Sequence, residues 1–171
     1  MSEKPVVAIV MGSDSDLPVM ESTVEALKQF GVPFELHVLS AHRSPEAVHT
    51  FASEAEKRGL KILIAGAGGA AHLAGVLASL TCLPVIGVPM PTDRMGGLDS
   101  LLSTLQMPRG VPVATMGVGK SGAQNAALLA VQILALSDDK LREALRKHKA
   151  RMAREVKDAD ARAQQWLGEQ K

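Results

Sequence analysis

The sequence has no tyrosine, one tryptophan and three phenylalanines among its 171 residues, so aromatics make up only 2% of it. Base stacking on aromatic platforms, the usual device of single-strand nucleic-acid binders, has little to build on, and no nucleic-acid partner is expected. A single cysteine, Cys82, excludes a disulfide framework within the chain. Because it sits in an apolar stretch, it is expected to be a buried structural thiol in a reducing compartment. Strong net charge is also missing: the balance is +1, with 10 Lys/Arg against 7 Asp/Glu in residues 138–171 and 9 against 11 in residues 1–137. The basic residues of the tail are interleaved with acids, which describes a solvated helix face better than a polyanion site. The apolar run from Val6 to Met11 is too short for a secretory signal and leads straight into acidic residues, so a cytoplasmic location is expected.

One stretch lacks charge altogether. From Ile62 to Thr92 there is no Asp, Glu, Lys or Arg, which raises the question of a membrane span. Five glycines, three prolines and His72 interrupt it. It divides into strand, loop, small-residue helix and strand, so it reads as a buried βαβ unit with both strands covered on two faces. No membrane partner is expected.

What is present is the composition of a folded protein, 46% apolar and 22% charged, long enough for one domain over residues 1–171. Short β-rich runs recur at 6–11, 34–39, 61–65, 84–88 and 111–116, and helical stretches lie between them at 18–30, 45–58, 70–80 and 98–105. Strict alternation predicts an α/β fold, a three-layer αβα sandwich around a parallel five-stranded sheet. Residues 121–137 form a helix without a single charge, which wants cover on nearly all sides. Residues 138–167 form a long charged helix whose Leu141, Leu145, Met152, Val156, Ala163 and Trp166 recur at three-to-four spacing. With no sheet left to cover, that stripe points to subunit packing. The expected organisation is an α/β core at 1–137 and a C-terminal oligomerisation helix at 138–167.

Ligands in such folds bind beyond the carboxyl ends of the strands, and three motifs lie there. In "GSDSDLP" (12–18), Ser15 or Asp16 can cap the helix that Pro18 opens. The same helix end can hold an anion on the Ser13 and Ser15 hydroxyls, with Asp16 better suited to ribose. The two readings are compatible. In "SAHRS" (40–44), Ser44 before Pro45 is a helix start, which leaves His42 and Arg43 surplus to capping. A guanidinium fork suits phosphate, and an imidazole suits proton transfer near neutrality. "GAGGAA" (66–71) offers room for close backbone approach, with His72 just behind, or else tight helix-on-sheet packing.

Two near misses exclude other chemistry. "GAGGAA" fits a dinucleotide fingerprint, but no acid stands at the end of the next strand, from 84 to 90. "GVGKS" (117–121) resembles the end of a phosphate loop, yet Ala114 stands where its first glycine belongs. His37, His42, His49, His72 and His148 show no metal-ligand spacing, so no metal is expected.

Taken together, "MGSDSD", "SAHRSP", "AGAGGAAHL", "PVIGVP", "LDSLLSTLQMPRGVPVAT" and "NAALLAVQIL" resemble the N5-carboxyaminoimidazole ribonucleotide mutase family of purine biosynthesis, in the expected order over residues 6–136. Ala74 stands where that family commonly has proline, and "MPTDRMGG" (90–97) is an unusual version of its loop. The resemblance implies a flavodoxin-like sandwich, a homo-octamer, and a cofactor-free isomerase that moves a carboxylate from the exocyclic nitrogen of a small-molecule substrate, an aminoimidazole ribonucleotide, to the adjacent ring carbon. It implies that Ser13, Asp16 and Arg43 bind phosphate and ribose, that His42 is the acid/base, and that Ser40, Ala67, Gly68 and His72 line a close-walled carboxylate pocket. A related carboxylase branch, which uses free carbon dioxide, typically has Lys after the motif His and lacks the glycine-alanine cage, whereas here Arg43 follows His42. A phospho-ligand-binding module without catalysis would need the anion loops but not His42.

Overall fold

The computed structural model describes residues 4–170. They belong to two compact units, Met1–Ala130 and Val131–Lys171.

The first unit is built on five parallel strands, β1 (Val7–Met11), β2 (Phe34–Val38), β3 (Ile62–Ala67), β4 (Val85–Pro89) and β5 (Ala114–Thr115), in the spatial order β2-β1-β3-β4-β5. This is the flavodoxin-like order, whose connections reverse direction between β1 and β3. Helices α1 (Leu17–Gln29), α2 (Pro45–Glu54), α3 (Leu73–Leu80), α4 (Leu98–Leu105) and α5 (Lys120–Leu134) alternate with the strands. The uncharged stretch 62–92 is thus the β3-α3-β4 unit, with β4 buried at every position and β3 at all but its last.

The alternation of small and branched residues explains the layers. On one face Ala8, Val10, Leu63, Ala65 and Val85 pack with Val48 and Phe51 of α2 and Leu73, Ala74 and Leu77 of α3. The alternate residues Val7, Ile9, Ile62 and Ile64, all fully buried, must face the opposite layer. There Thr23 of α1, itself fully buried, donates its hydroxyl proton to the Ala123 carbonyl of α5 at 2.8 Å. Each fully buried Val, Leu or Ile contributes about 1.5–3 kcal/mol, so these central strands carry the stability of the unit.

Three expectations are corrected. The last strand is two residues long, not six, because Pro112 has no amide to pair and Gly110 (φ 94°) turns the chain just before it. Cys82 is exposed, because it lies in the turn that follows α3 rather than on an apolar face. The first helix is capped one short turn earlier than expected: a 3₁₀ turn at Asp14–Asp16 precedes α1, its cap is Ser13, and Asp16 makes no capping bond to α1.

In the second unit, α6 (Asp139–Glu169) runs for 31 residues, starting one residue and ending two residues later than the expected helix of 138–167. Asp138 starts it by accepting the amides of Lys140 and Leu141 at 2.8 and 3.0 Å. No residue of α6 is buried.

Gly87, in the middle of β4, shows how tightly the first unit is packed. A methyl group there would stand 2.4 Å from the Thr104 Cγ2 and 3.0 Å from the Val113 Cγ1. Thr104 cannot rotate away without losing its 2.8 Å bond to the Ser100 carbonyl. Gly87→Ala should therefore cost about 1–3 kcal/mol of stability, the scale of overpacking a filled core, read as a lowered urea midpoint; an unchanged midpoint would show that the α4 layer is looser than described.

Candidate active site

Strand register assembles the site. Met11 pairs with both Val38 and Gly66, and Ala67 pairs with Pro89, so β2, β1, β3 and β4 end nearly level. Two further bonds carry the alignment into the loops, from the Leu39 amide to the Met11 carbonyl (2.8 Å) and from the Gly12 amide to the Gly66 carbonyl (3.0 Å). The loops that follow line one cleft of about 440 Å³. All nine residues expected in a site line it: Ser13, Ser15, Asp16, Ser40, His42, Arg43, Ala67, Gly68 and His72.

The first loop is a closed hydrogen-bonded unit. Ser13 Oγ accepts the Ser15 amide (3.3 Å) and the Ser15 hydroxyl (2.9 Å), while the Ser13 amide donates to the Asp16 carboxylate (3.2 Å). Asp16 is half-buried, and desolvation raises its pKa above the usual aspartate value, outweighing the bonds from Ser13 and Ser15 that lower it; Asp14 adds to the rise and Arg43 opposes it.

The second loop folds back on itself. Ser44 heads α2 without a capping bond; its hydroxyl instead donates to the Ser40 carbonyl and accepts the Ser40 amide, both at 3.1 Å. That turn delivers His42 and Arg43. The Arg43 fork spans two loops, with Nη2 donating to the Gly12 carbonyl (2.8 Å) and Nε to the Ser40 hydroxyl (3.3 Å). Nη1 makes no hydrogen bond among the described residues, so the fork retains donors for an anion.

The third loop is set by glycine conformation. Gly69 has φ 67°, a left-handed value that favours glycine. Its amide donates to the fully buried Ser100 hydroxyl (2.9 Å) and its carbonyl accepts from Ser103 (3.1 Å). Gly66 serves packing, since a methyl there would sit 2.8 Å from the Met20 sulfur. The loop hands its last residue, His72, to His42: Nδ1 of His72 lies 2.9 Å from Nε2 of His42, the rings edge to face at 86°. Whichever ring donates, the other must present an unprotonated nitrogen. His42, Gly68, Ala70 and His72 are exposed at the carboxyl end of the sheet.

Sequence reasoning missed a fourth loop. Met90, Pro91 and Thr92 also line the cleft, and Thr92 is latched by a 2.7 Å bond from its hydroxyl to Asp99. The signal was available, because 84–88 reads as a strand and its carboxyl end must open on the same edge. Conversely, "GVGKS" forms a tight turn into α5: Gly119 has φ 78°, and the chain closes so tightly that a methyl on the following Gly122 would fall 1.6 Å from the Gly117 carbonyl oxygen. Among the described residues no group of three or more His, Cys, Asp or Glu could hold a metal ion, and no helix is long and apolar enough to cross a membrane.

A flavodoxin-like sheet whose carboxyl edge gathers hydroxyls, a guanidinium and two imidazoles into one cleft is the framework of an α/β enzyme acting on a small molecule. The chain belongs to the AIR carboxylase family, whose model matches residues 6–155. A Pyrococcus horikoshii protein described as N5-carboxyaminoimidazole ribonucleotide mutase is 52% identical over 164 residues, covering 96% of this chain and 92% of that protein. A Mycobacterium tuberculosis protein of the same description is 52% identical over 166 residues, covering 97% and 94%. The crystal structure of Treponema denticola PurE superposes with a TM-score of 0.84 at 31% identity, covering 92% of this chain and 98% of that one.

Asp16→Asn tests the electrostatics of the first loop. Asparagine keeps an oxygen for the Ser13 amide but carries no charge. Because burial raises the Asp16 pKa, ionising it costs the folded state. The native protein is thus most stable, relative to the variant, below the unfolded aspartate pKa, and loses that advantage as pH rises through the higher folded value. Urea midpoints measured from about pH 3 to 7 should show the variant gaining across the acidic interval and keeping the gain at neutrality; a pH-independent difference would mean the carboxylate is well solvated.

Proposed function

We propose that this chain isomerises N5-carboxyaminoimidazole ribonucleotide to 4-carboxy-5-aminoimidazole ribonucleotide in de novo purine biosynthesis, without a cofactor. The observation that carries the reading is the convergence of all nine expected residues on one cleft, in a chain 52% identical to the mutases above. The phosphate and ribose lie at Ser13, Ser15, Asp16 and Arg43. The migrating carboxylate lies toward Ser40, Ala67, Gly68 and His72.

His42 acts twice. As imidazolium it gives a proton to the exocyclic nitrogen while the N–C bond of the carbamate breaks and carbon dioxide is released. The adjacent ring carbon then attacks carbon dioxide, and neutral His42 removes the proton from that carbon. The proton lost in the first step is regained in the second, so no external acid, base or redox partner is consumed. Carbon dioxide has to stay beside the ring between the steps, and the backbone of the third loop allows the close approach this requires. The apolar α5 and the unburied α6 support assembly of the chain into a homo-octamer, working in the cytoplasm.

Two measurements test the reading. His42→Asn and His42→Gln change an exposed side chain, so the fold should survive, read by circular dichroism, while turnover drops by at least about a hundredfold. Near-native turnover in both would remove His42 from the chemistry. Separately, carbamate substrate labelled in its carboxylate is supplied with excess unlabelled bicarbonate and carbonic anhydrase. Label retained in the product is expected; label diluted to the bicarbonate level would assign the chain to carboxylases that use free carbon dioxide.

A further inference from the structure

The fourth loop, Met90 to Thr92, lines the cleft and has no part in the chemistry set out above. It gives the cleft a side of different character. Toward the first two loops the lining is Ser13, Ser15, Asp16, Ser40 and Arg43, which suit phosphate and ribose; toward the third and fourth it is Ala67, Ala70, Leu73, Met90 and Pro91. Carbon dioxide carries no charge and has no proton to donate, so between release and recapture it is lost only by diffusing away or by meeting water. An apolar wall withholds water from it.

The third and fourth loops close on each other at Gly68. A methyl there would stand 3.2 Å from the Met90 Cβ and 3.8 Å from the Thr92 Cγ2, so a side chain at this position would push the fourth loop away. Thr92 turns its methyl toward this seam because its hydroxyl is engaged elsewhere. Oγ1 donates its only proton to the Asp99 carboxylate (2.7 Å) and accepts the Gly97 amide (3.2 Å). The base of the loop is tied by the Met90 amide, which donates to the Ala67 carbonyl at 2.9 Å. Its far end is tied by Gly97, buried and left-handed at φ 94°, where a methyl would fall 2.5 Å from the Val118 Cγ1. One helix therefore grips both sides of the seam: Asp99 of α4 holds Thr92, while Ser100 and Ser103 hold Gly69.

We propose that the Thr92–Asp99 latch fixes the fourth loop as the wall that keeps carbon dioxide beside the ring, and that Asp99 is a positioning residue for the reaction. This rests on the isomerase reading above, and the experiment reports on the two separately. Asp99 is not part of the cleft lining and acts only through Thr92. With the latch broken, the N–C bond of the carbamate still breaks and the nitrogen still takes its proton from His42. Carbon dioxide then escapes and hydrates to bicarbonate, the free amine follows it out, and water returns a proton to His42.

Carbamate substrate labelled in its carboxylate is turned over by the full chain and its variants, with excess unlabelled bicarbonate and carbonic anhydrase present and enzyme-free breakdown subtracted. Label retained in the product and free aminoimidazole ribonucleotide released per product formed are both measured. Asp99→Ala should raise the released amine at least about threefold, as a reactant held less closely is lost more often. The KM for the nucleotide should move less than about twofold, because the phosphate loops are untouched. Thr92→Val keeps the bulk of the wall but lacks the hydroxyl, and should leak to the same degree. The double variant should leak no more than either single one, since both changes break one bond. Asp99→Asn keeps an oxygen for the Thr92 hydroxyl and should recover most of the native retention. Thr92→Val leaves α4 unchanged, so it carries the test if Asp99→Ala does not fold.

Full retention in the single variants overturns the latch, as do leakage that adds in the double variant and an Asp99→Asn protein no tighter than Asp99→Ala. Lowered turnover at native retention also overturns it, and makes Asp99 a residue of structure only. Label lost to the bicarbonate level by the native chain overturns the isomerase reading itself, and this inference with it.

Discussion

Everything in the cleft depends on where three strands stop. Met11 is held between Val38 and Gly66 by ladder pairing on both sides, and parallel hydrogen bonds leave no freedom to slide β1 without breaking both ladders. A shift by one residue would also exchange Val10 and Met11 between the two layers. The serine turn, the His-Arg turn and the glycine loop therefore begin within one residue of each other along the strand axis. Their side chains need only be short to meet. The hydroxyl of Ser13, the fork of Arg43 and the ring of His72 share one cleft because of backbone register, not because of any contact evolved between them alone.

The loops themselves are stiffened from behind. Ser44 ties the second loop to its own first residue, Arg43 ties that loop to the first through the Gly12 carbonyl, and Ser100 and Ser103 of α4 hold both ends of the Gly69 peptide unit. These bonds hold the left-handed Gly69 in the loop that leads to His72. The exposed rings are thus carried by backbone that is well anchored, which is how a surface site can keep a fixed geometry.

Much of this was legible in the residues. The alternation of β-rich runs with helical stretches gave all five strands and the helices between them, because each carried its own periodicity and its own stop signal. The second site loop was visible because His42 and Arg43 exceed what capping alone needs. Other features were not legible, for physical reasons. Which serine caps the first turn depends on a single 3₁₀ turn that costs no change in composition. The 2.9 Å approach of His42 to His72 joins residues thirty apart and follows only from strand order. Cys82 reads as buried in an apolar run, yet chain direction at the end of α3 decides otherwise. The contribution of Met90 to Thr92 was legible from strand position alone, because those side chains have no marked chemistry of their own.

The two ends of the sheet are unlike. At one margin β5 offers a ladder only two residues long, preceded by a proline that cannot donate. A template so short cannot recruit a strand from a neighbour, so the sheet has no means of growing in that direction, and fibre-like stacking of copies through backbone pairing is closed off there. Whatever brings copies together at that side has to do so through side chains on helices. The opposite margin, β2, presents a full five-residue strand, so the two margins differ in the backbone they offer a neighbour.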